Sequence, residues 1–355
     1  MNVDLHNDPD LPQAWAPWFS HEYITYHAVR ALDGLTFLPP VAVKPRPPFA
    51  DKVWPVGPKH IDIYKESYQE RRRLDPVWSF DYKKRNGDFA LAPPSGKTIE
   101  PWKVLVIYST EPDLYLDHDL AVHKNQKITG GSHGWRHMEF KVLTSTFGAA
   151  PKSFLVHQDF SGLAFENGND YWGWRYLSRC GHYLADLGSP FHVKALPSCF
   201  LMKNIFSGKT LFRTASAVHQ GYEVYVERRF REGFEPFGQA LARGASEAKN
   251  AAGNVRHRLP AYMEKARKKH NEVFYFFLDQ YGRDLLEVFS RVDPGGPTET
   301  ASQTNQCSAD AARVIFRDGA LPALSFLDGI TAGILEDVGL MLGMLFQSFA
   351  AAKAR

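Results

Sequence analysis

The run Gly181-His182-Tyr183-Leu184-Ala185-Asp186-Leu187-Gly188-Ser189-Pro190-Phe191-His192 says more about this chain than any other twelve residues in it. His182 and Asp186 are four positions apart in a segment that reads as helix, so both side chains fall on one face. Pro190 ends or bends that helix, and His192 follows at once. A second pair at the same spacing, His219 and Glu223, lies downstream in Val218-His219-Gln220-Gly221-Tyr222-Glu223. Imidazole nitrogen and carboxylate oxygen are donors that a borderline cation such as zinc accepts. One His/Asp pair at this spacing is ordinarily a solvated helix face. Two pairs and a post-proline His, with apolar Tyr183, Leu184 and Phe191 beside the first pair, point instead to a metal cluster. A carboxylate within an apolar helix needs a partner, because an unpaired buried charge is very unfavourable.

The chain has 355 residues, enough for a sizeable core. Hydrophobic residues make up 44% and charged residues 23%, the balance of a globular protein. The net charge of +3 gives no general argument for nucleic acid or an anionic membrane. Three cysteines, Cys180, Cys199 and Cys307, form no Cys-x-x-Cys motif, which argues against a thiolate zinc site. The polar, acidic start from Met1 to Asp10 is not a signal peptide. The longest charge-free apolar run, Val338 to Ala352, is short for a membrane span and reads as a buried terminal helix, so no transmembrane segment is expected.

In order, residues 1–14 read as a loose arm. A helix is expected from Trp15, with Ser20 as a possible cap and Ile24, Ala28 and Leu32 on its inner face. Residues 38–58 carry seven prolines and form an extended surface excursion. The basic runs Arg71-Arg72-Arg73 and Lys83-Lys84-Arg85 read as solvated faces. Val104-Leu105-Val106-Ile107-Tyr108 is the best strand candidate, with a buried helical turn as the alternative. Asp117 and Asp119 have the spacing of a calcium loop but lack its glycine and closing Glu. Helices are expected at 170–188, 217–232, 239–250, 260–283, 284–292, 307–318 and 321–350, with a loop at 193–216. Pro294-Gly295-Gly296-Pro297 separates the last two helices from the rest. The class is all-α, a single large helical domain: a metal-ligand core over 15–232 and additional helices over 233–355.

His182-x3-Asp186-x5-His192 followed by His219-x3-Glu223 resembles the zinc-dependent phospholipase C superfamily, which also contains single-strand nucleases. Ser20-His21-Glu22-Tyr23-Ile24 is similar to the early helix that supplies a further His there. Asp113 in Glu111-Pro112-Asp113 and His137 in Trp135-Arg136-His137 are the best matches to the family's remaining Asp and His, with Asp117 and His133 as rivals. The resemblance spans about residues 15–230 and implies two or three zinc ions. Asp113, His137, His182 and Asp186 would hold one, His192, His219 and Glu223 a second, and His21 with bridging Asp186 a third. The family often completes the third site with a mature N-terminal Trp. Trp15 and Trp18 are near, but the chain starts at Met1, and the insertion between His21 and Asp113 is longer than the pattern. The resemblance also suggests secretion.

Such a cluster implies phosphodiester hydrolysis, with Asp113 as the candidate base. The expected substrate is a phosphatidylcholine-like lipid at a membrane or micelle surface, cleaved to diacylglycerol and a phosphorylated head group. No stable nucleic-acid complex is expected, although a single-strand nuclease or 3'-nucleotidase would use the same site. From another class, Gly130-Gly131-Ser132-His133-Gly134 matches the nucleophile elbow of serine esterases and lipases, with Ser132 as nucleophile. A helical binding protein with a purely structural metal cluster is a further rival.

Overall fold

The computed structural model describes residues 20–44, 98–113, 123–129, 131–142, 144–290, 301–317 and 321–353. Outside them lie the N-terminal arm, Trp15 and Trp18, the proline-rich stretch beyond residue 44, both basic runs, Asp117 and Asp119, and the Pro294–Pro297 linker. Twelve helices occupy most of the described residues: α1 (Ser20–Arg30), α2 (Pro101–Tyr108), α3 (Ser132–His137), α4 (Ala150–Glu166), α5 (Asp170–Asp186), α6 (Pro190–Val193), α7 (Ser198–Lys203), α8 (Gly208–Arg231), α9 (Glu235–Glu247), α10 (Val255–Phe289), α11 (Ala301–Ile315) and α12 (Leu321–Lys353). Two antiparallel ladders complete them. β1 (Val41–Ala42) pairs with β2 (Thr98–Ile99), and β3 (Glu139–Val142) with β4 (Ser145–Gly148) in the register Phe140↔Phe147.

The organising element is α5. Every side chain from Tyr171 to Asp186 is buried, because α1, α2, α4 and α12 all pack against it. Helices α4 and α5 form a hairpin across Asn167-Gly168-Asn169. Gly168 takes φ +68, a left-handed conformation that favours glycine, and the Asn169 side chain caps α5 by accepting from the Trp172 amide. Pro190 opens α6 directly after α5, so His192 is delivered by a turn rather than by the long helix. Glycines bring α9 and α12 close: a Cβ on Gly244 would lie 1.9 Å from the Glu336 carbonyl oxygen, and one on Gly339 would lie 2.2 Å from that of Leu241. The buried apolar side chains form one contiguous core.

Four expectations are corrected. Val104–Tyr108 is helix, not strand. Pro101 starts the helix, and Val104 to Tyr108 are all buried, which removes the alternation and the amphipathic stripe that would tell the two apart. The expected 193–216 loop contains α7, and α8 begins at Gly208 rather than at 217. No break separates 283 from 284, because α10 runs unbroken from Val255 to Phe289 with Pro260 near its start. Ser20 is itself helical rather than a residue flanking the helix. The terminal helix does have buried residues along it, Val338, Leu342, Leu345 and Phe346 among them. By length and composition alone, its Leu324–Ala351 stretch is long and apolar enough to cross a membrane, and most of its apolar part is buried inside the molecule.

Candidate metal centre

Four elements, α1, α3, α5 and α6, meet at the Asp186 carboxylate. Its Oδ1 lies 3.0 Å from Nδ1 of His192 and 3.4 Å from Nε2 of His21. Its Oδ2 lies 2.8 Å from Nδ1 of His137 and 3.3 Å from Nε2 of His182. Asp113, in the turn after α2, approaches the same imidazoles. Its Oδ1 is 3.4 Å from His137 Nδ1, 3.5 Å from His182 Nε2 and 3.6 Å from His133 Nε2, and its Oδ2 is 3.8 Å from His21 Nε2. Glu223 forms a second focus, with Oε1 2.8 Å from His219 Nε2 and 3.2 Å from His192 Nε2. His192 joins the two, facing Asp186 with one ring nitrogen and Glu223 with the other.

Among the described residues, three overlapping sets, His21/Asp113/His182, Asp113/His133/His137 and His137/His182/Asp186, and a separate fourth, His192/His219/Glu223, each bring their donor atoms within 4.8 Å of one another. These sets can hold metal ions. Donors around a tetrahedral zinc at about 2.0–2.1 Å stand about 3.3–3.4 Å apart, which falls within the spread of the separations above. Asp186 Oδ1 and His219 Nε2 are buried and make no hydrogen bond despite these close approaches. Near contact without hydrogen-bond alignment is how donors look when they point at a common centre rather than at each other.

The electrostatics suit cation binding. Burial alone would raise the Asp186 pKa, but the imidazoles of His192, His182 and His137 hold it well below the usual carboxylate range. Burial likewise opposes ionisation of Glu223, and His219 and His192 overcome it, holding the pKa near 2. Desolvation lowers His21, reinforced by the adjacent His182, whose ring stacks on it at 3.7 Å. Desolvation would lower His192 too, but the Asp186 charge, together with Glu223 at its other ring nitrogen, raises it to about 9.

Behind the donors sits a supporting layer. His182 Nδ1 donates to the Ser109 carbonyl at 2.6 Å, which leaves Nε2 with its lone pair toward the carboxylates. Glu111 accepts from Arg175 and from Arg179, whose Nε is 2.6 Å away, and all three side chains are 1% exposed. Arg175, Arg179, His182 and Asp186 follow one another at spacings of four, three and four, a single stripe of α5. That stripe grips the turn carrying both Asp113 and the Ser109 carbonyl. The cluster is buried at its base and opens at its rim: the side chains of His21, His137, His182 and Asp186 are at most 3% exposed, against 32% for His133, 21% for Glu223 and 15% for His219.

All eight residues expected as ligands therefore meet: His21, Asp113, His137, His182, Asp186, His192, His219 and Glu223. His133 does not compete with His137. The two rings stack at 4.1 Å on α3, and both face Asp113. The rival Asp117 is outside the described residues. Sequence reasoning missed the Ser109 carbonyl and the Glu111–Arg175–Arg179 grip; the four-three-four stripe on α5 was the available signal. Ser132 opens α3, and the element that precedes it among the described residues is a 3-10 turn, Gln126–Thr129, not a strand. The strand-to-helix setting of a nucleophile elbow is not found there.

No known protein family, characterised protein or solved structure matches this chain. What is established is a mostly helical protein with buried His/carboxylate clusters able to hold metal ions.

Proposed function

We propose that this protein is a metal-dependent phosphodiester hydrolase of the zinc-dependent phospholipase C type, acting on phosphatidylcholine-like lipids. The single observation carrying the proposal is the Asp186 carboxylate, with His21 and His192 on one oxygen and His137 and His182 on the other. A carboxylate faced in this way is suited to bridging cations, as clusters acting on phosphodiesters require. Asp113, His137, His182 and Asp186 would hold one ion, His192, His219 and Glu223 a second, and His21 with Asp186 a third. Bound zinc would acidify water and offset charge on a phosphoryl group.

The chain's own groups have separable tasks. Asp113 is the candidate base, a 4% exposed carboxylate that receives the proton of the attacking water. The Ser109 carbonyl fixes the His182 tautomer, and the Arg-held Glu111 fixes the turn that carries Asp113. The rim of His133, His219 and Glu223 is where substrate reaches the cluster. A nuclease would share the buried donors but need a basic groove with stacking aromatics, for which a net charge of +3 gives no general support.

The test is turnover of bis(p-nitrophenyl) phosphate. Activity should vanish on chelation, return with zinc, and be lost in a folded Asp186→Asn variant. Chelator-insensitive turnover stopped by a serine-directed phosphonate would replace this proposal with the Ser132 esterase. Comparing phosphatidylcholine vesicles with single-stranded DNA as substrates separates lipase from nuclease.

A further inference from the structure

The connection between the two ligand-bearing segments, from α6 to α8, has an unusual surface. Seven large hydrophobic side chains stand exposed among the described residues, and three of them, Met202, Ile205 and Phe206, fall within five positions. Met202 is 60% exposed, Ile205 44%, and Phe206 has no cover at all. This is not a loosely attached loop. On its inner side Phe200 packs edge-on against Phe274 of α10 at 5.3 Å. Lys194 Nζ donates to Asn271 Oδ1, and Asn204 Nδ2 donates to the Phe200 carbonyl. The segment is held from beneath while its apolar tip points outward.

The charges carried by this segment have one sign. Between Asp186 and Glu223 the chain contains no Asp or Glu, while Lys194, Lys203, Lys209 and Arg213 are all basic. Lys203 sits within the apolar triplet and Lys209 follows it, and both are exposed. Exposed apolar side chains interspersed with cations fit the interface of an anionic bilayer, where acyl chains take the former and lipid head groups the latter. A protein partner would have to supply an acidic, apolar-centred surface, and a second copy would bring like charges together.

We propose that Ser198–Arg213 is a membrane-docking element, with Met202, Ile205 and Phe206 entering the interface and Lys203, Lys209 and Arg213 contacting anionic head groups. It deepens the hydrolase proposal by choosing lipid over nucleic acid as substrate, and only that choice rests on it. The tip lies close to the cluster: His219 is eleven residues into α8 from Gly208, about 16–17 Å along the helix axis.

The experiment is co-sedimentation of the full chain with vesicles of phosphatidylcholine alone and of phosphatidylcholine with phosphatidylserine. The protein should bind the mixed vesicles more tightly, and salt should weaken that binding. Each apolar residue changed to Ser in Met202→Ser/Ile205→Ser/Phe206→Ser should weaken partitioning about tenfold. Neutralising Lys203, Lys209 and Arg213 to Gln should cost about fivefold each at low salt. Far-UV circular dichroism and turnover of bis(p-nitrophenyl) phosphate should not change, since these side chains lie outside the core and the cluster. Vesicle binding by Asp186→Asn, without turnover, keeps the docking proposal independent of the chemistry. Equal binding by wild type and triple variant, no vesicle binding by wild type, or a dimer dissolved by the triple substitution would each overturn the proposal. The last of these would assign the tip to a second copy. Vesicle binding without any phosphodiesterase activity would leave docking intact and remove the hydrolase assignment.

Discussion

Replacing Glu111 with Gln removes the one negative charge that sits between two buried guanidinium groups. Arg175 lies between the rings of Tyr108 and Trp172, 4.2 and 4.4 Å from their centroids, and Arg179 lies beside Tyr176 at 5.3 Å. Neither cation can reach water without unpacking α5. Burial pushes the Glu111 pKa up, but the Arg175 charge, then that of Arg179, more than reverses this and holds it at about 2, against an ordinary 4.5. That displacement corresponds to roughly 3 kcal/mol, at about 1.4 kcal/mol per pH unit. Breaking a buried ion pair from one side independently suggests about 3–5 kcal/mol. For a chain of this size about 2 °C per kcal/mol applies, so the metal-stripped variant should melt about 6–10 °C below wild type at pH 7. The sign with pH follows from the depressed carboxylate. Its contribution is complete above about 4.5 and is lost as pH falls toward 2, so the gap between the two proteins should narrow across that window. Circular dichroism melts at several pH values measure both effects. A gap under about 2 °C at pH 7, or one that stays constant between pH 5 and pH 3, would refute this reasoning. Because Glu111 holds the turn carrying Asp113 and the Ser109 carbonyl, zinc affinity should also fall about 10–100-fold.

The remaining predictions concern the cluster and the packing around it. In the metal-free protein His192 titrates near 9 and carries a proton at neutral pH. Zinc affinity at His192/His219/Glu223 should therefore rise about tenfold per pH unit from 7 toward 9 and then level, with about one proton released per ion at pH 7 in calorimetry; a flat profile would contradict it. His133→Ala should weaken zinc binding measured by chelator competition while leaving the melting temperature of the metal-free protein within about 1 °C, because the ring is a third exposed at the rim. Unchanged competition would show that His133 is no ligand. Gly339→Ala places a Cβ 2.2 Å from the Leu241 carbonyl oxygen, and should destabilise by about 1–3 kcal/mol in denaturant titration through forced separation of α9 and α12; a change below about 0.5 kcal/mol would mean the helices adjust freely.

Local geometry explains which parts were legible in the sequence. His182/Asp186 and His219/Glu223 could be read because helix periodicity alone places each pair on one face. Asp113 and His137 have no fixed spacing to Asp186. They reach the cluster only because α2 packs on α5 and α3 packs on α4, the hairpin partner of α5, so resemblance to a family proposed them where spacing could not. Val104–Tyr108 was misleading because complete burial erases the pattern that separates strand from helix. The start of α8 was invisible because Gly208-Lys209-Thr210 carries the polar, glycine-led composition of a loop. The expected 283/284 boundary stands just after Gly282, but that glycine is buried within the helix and α10 passes through it.

Metal content measured on the purified chain tests the central claim most directly. Elemental analysis should find two or three zinc ions per chain, lost on chelation, with Asp186→Asn retaining at least one fewer while still folded. A folded wild-type chain that carries no divalent metal and takes up none on titration with zinc would contradict the account.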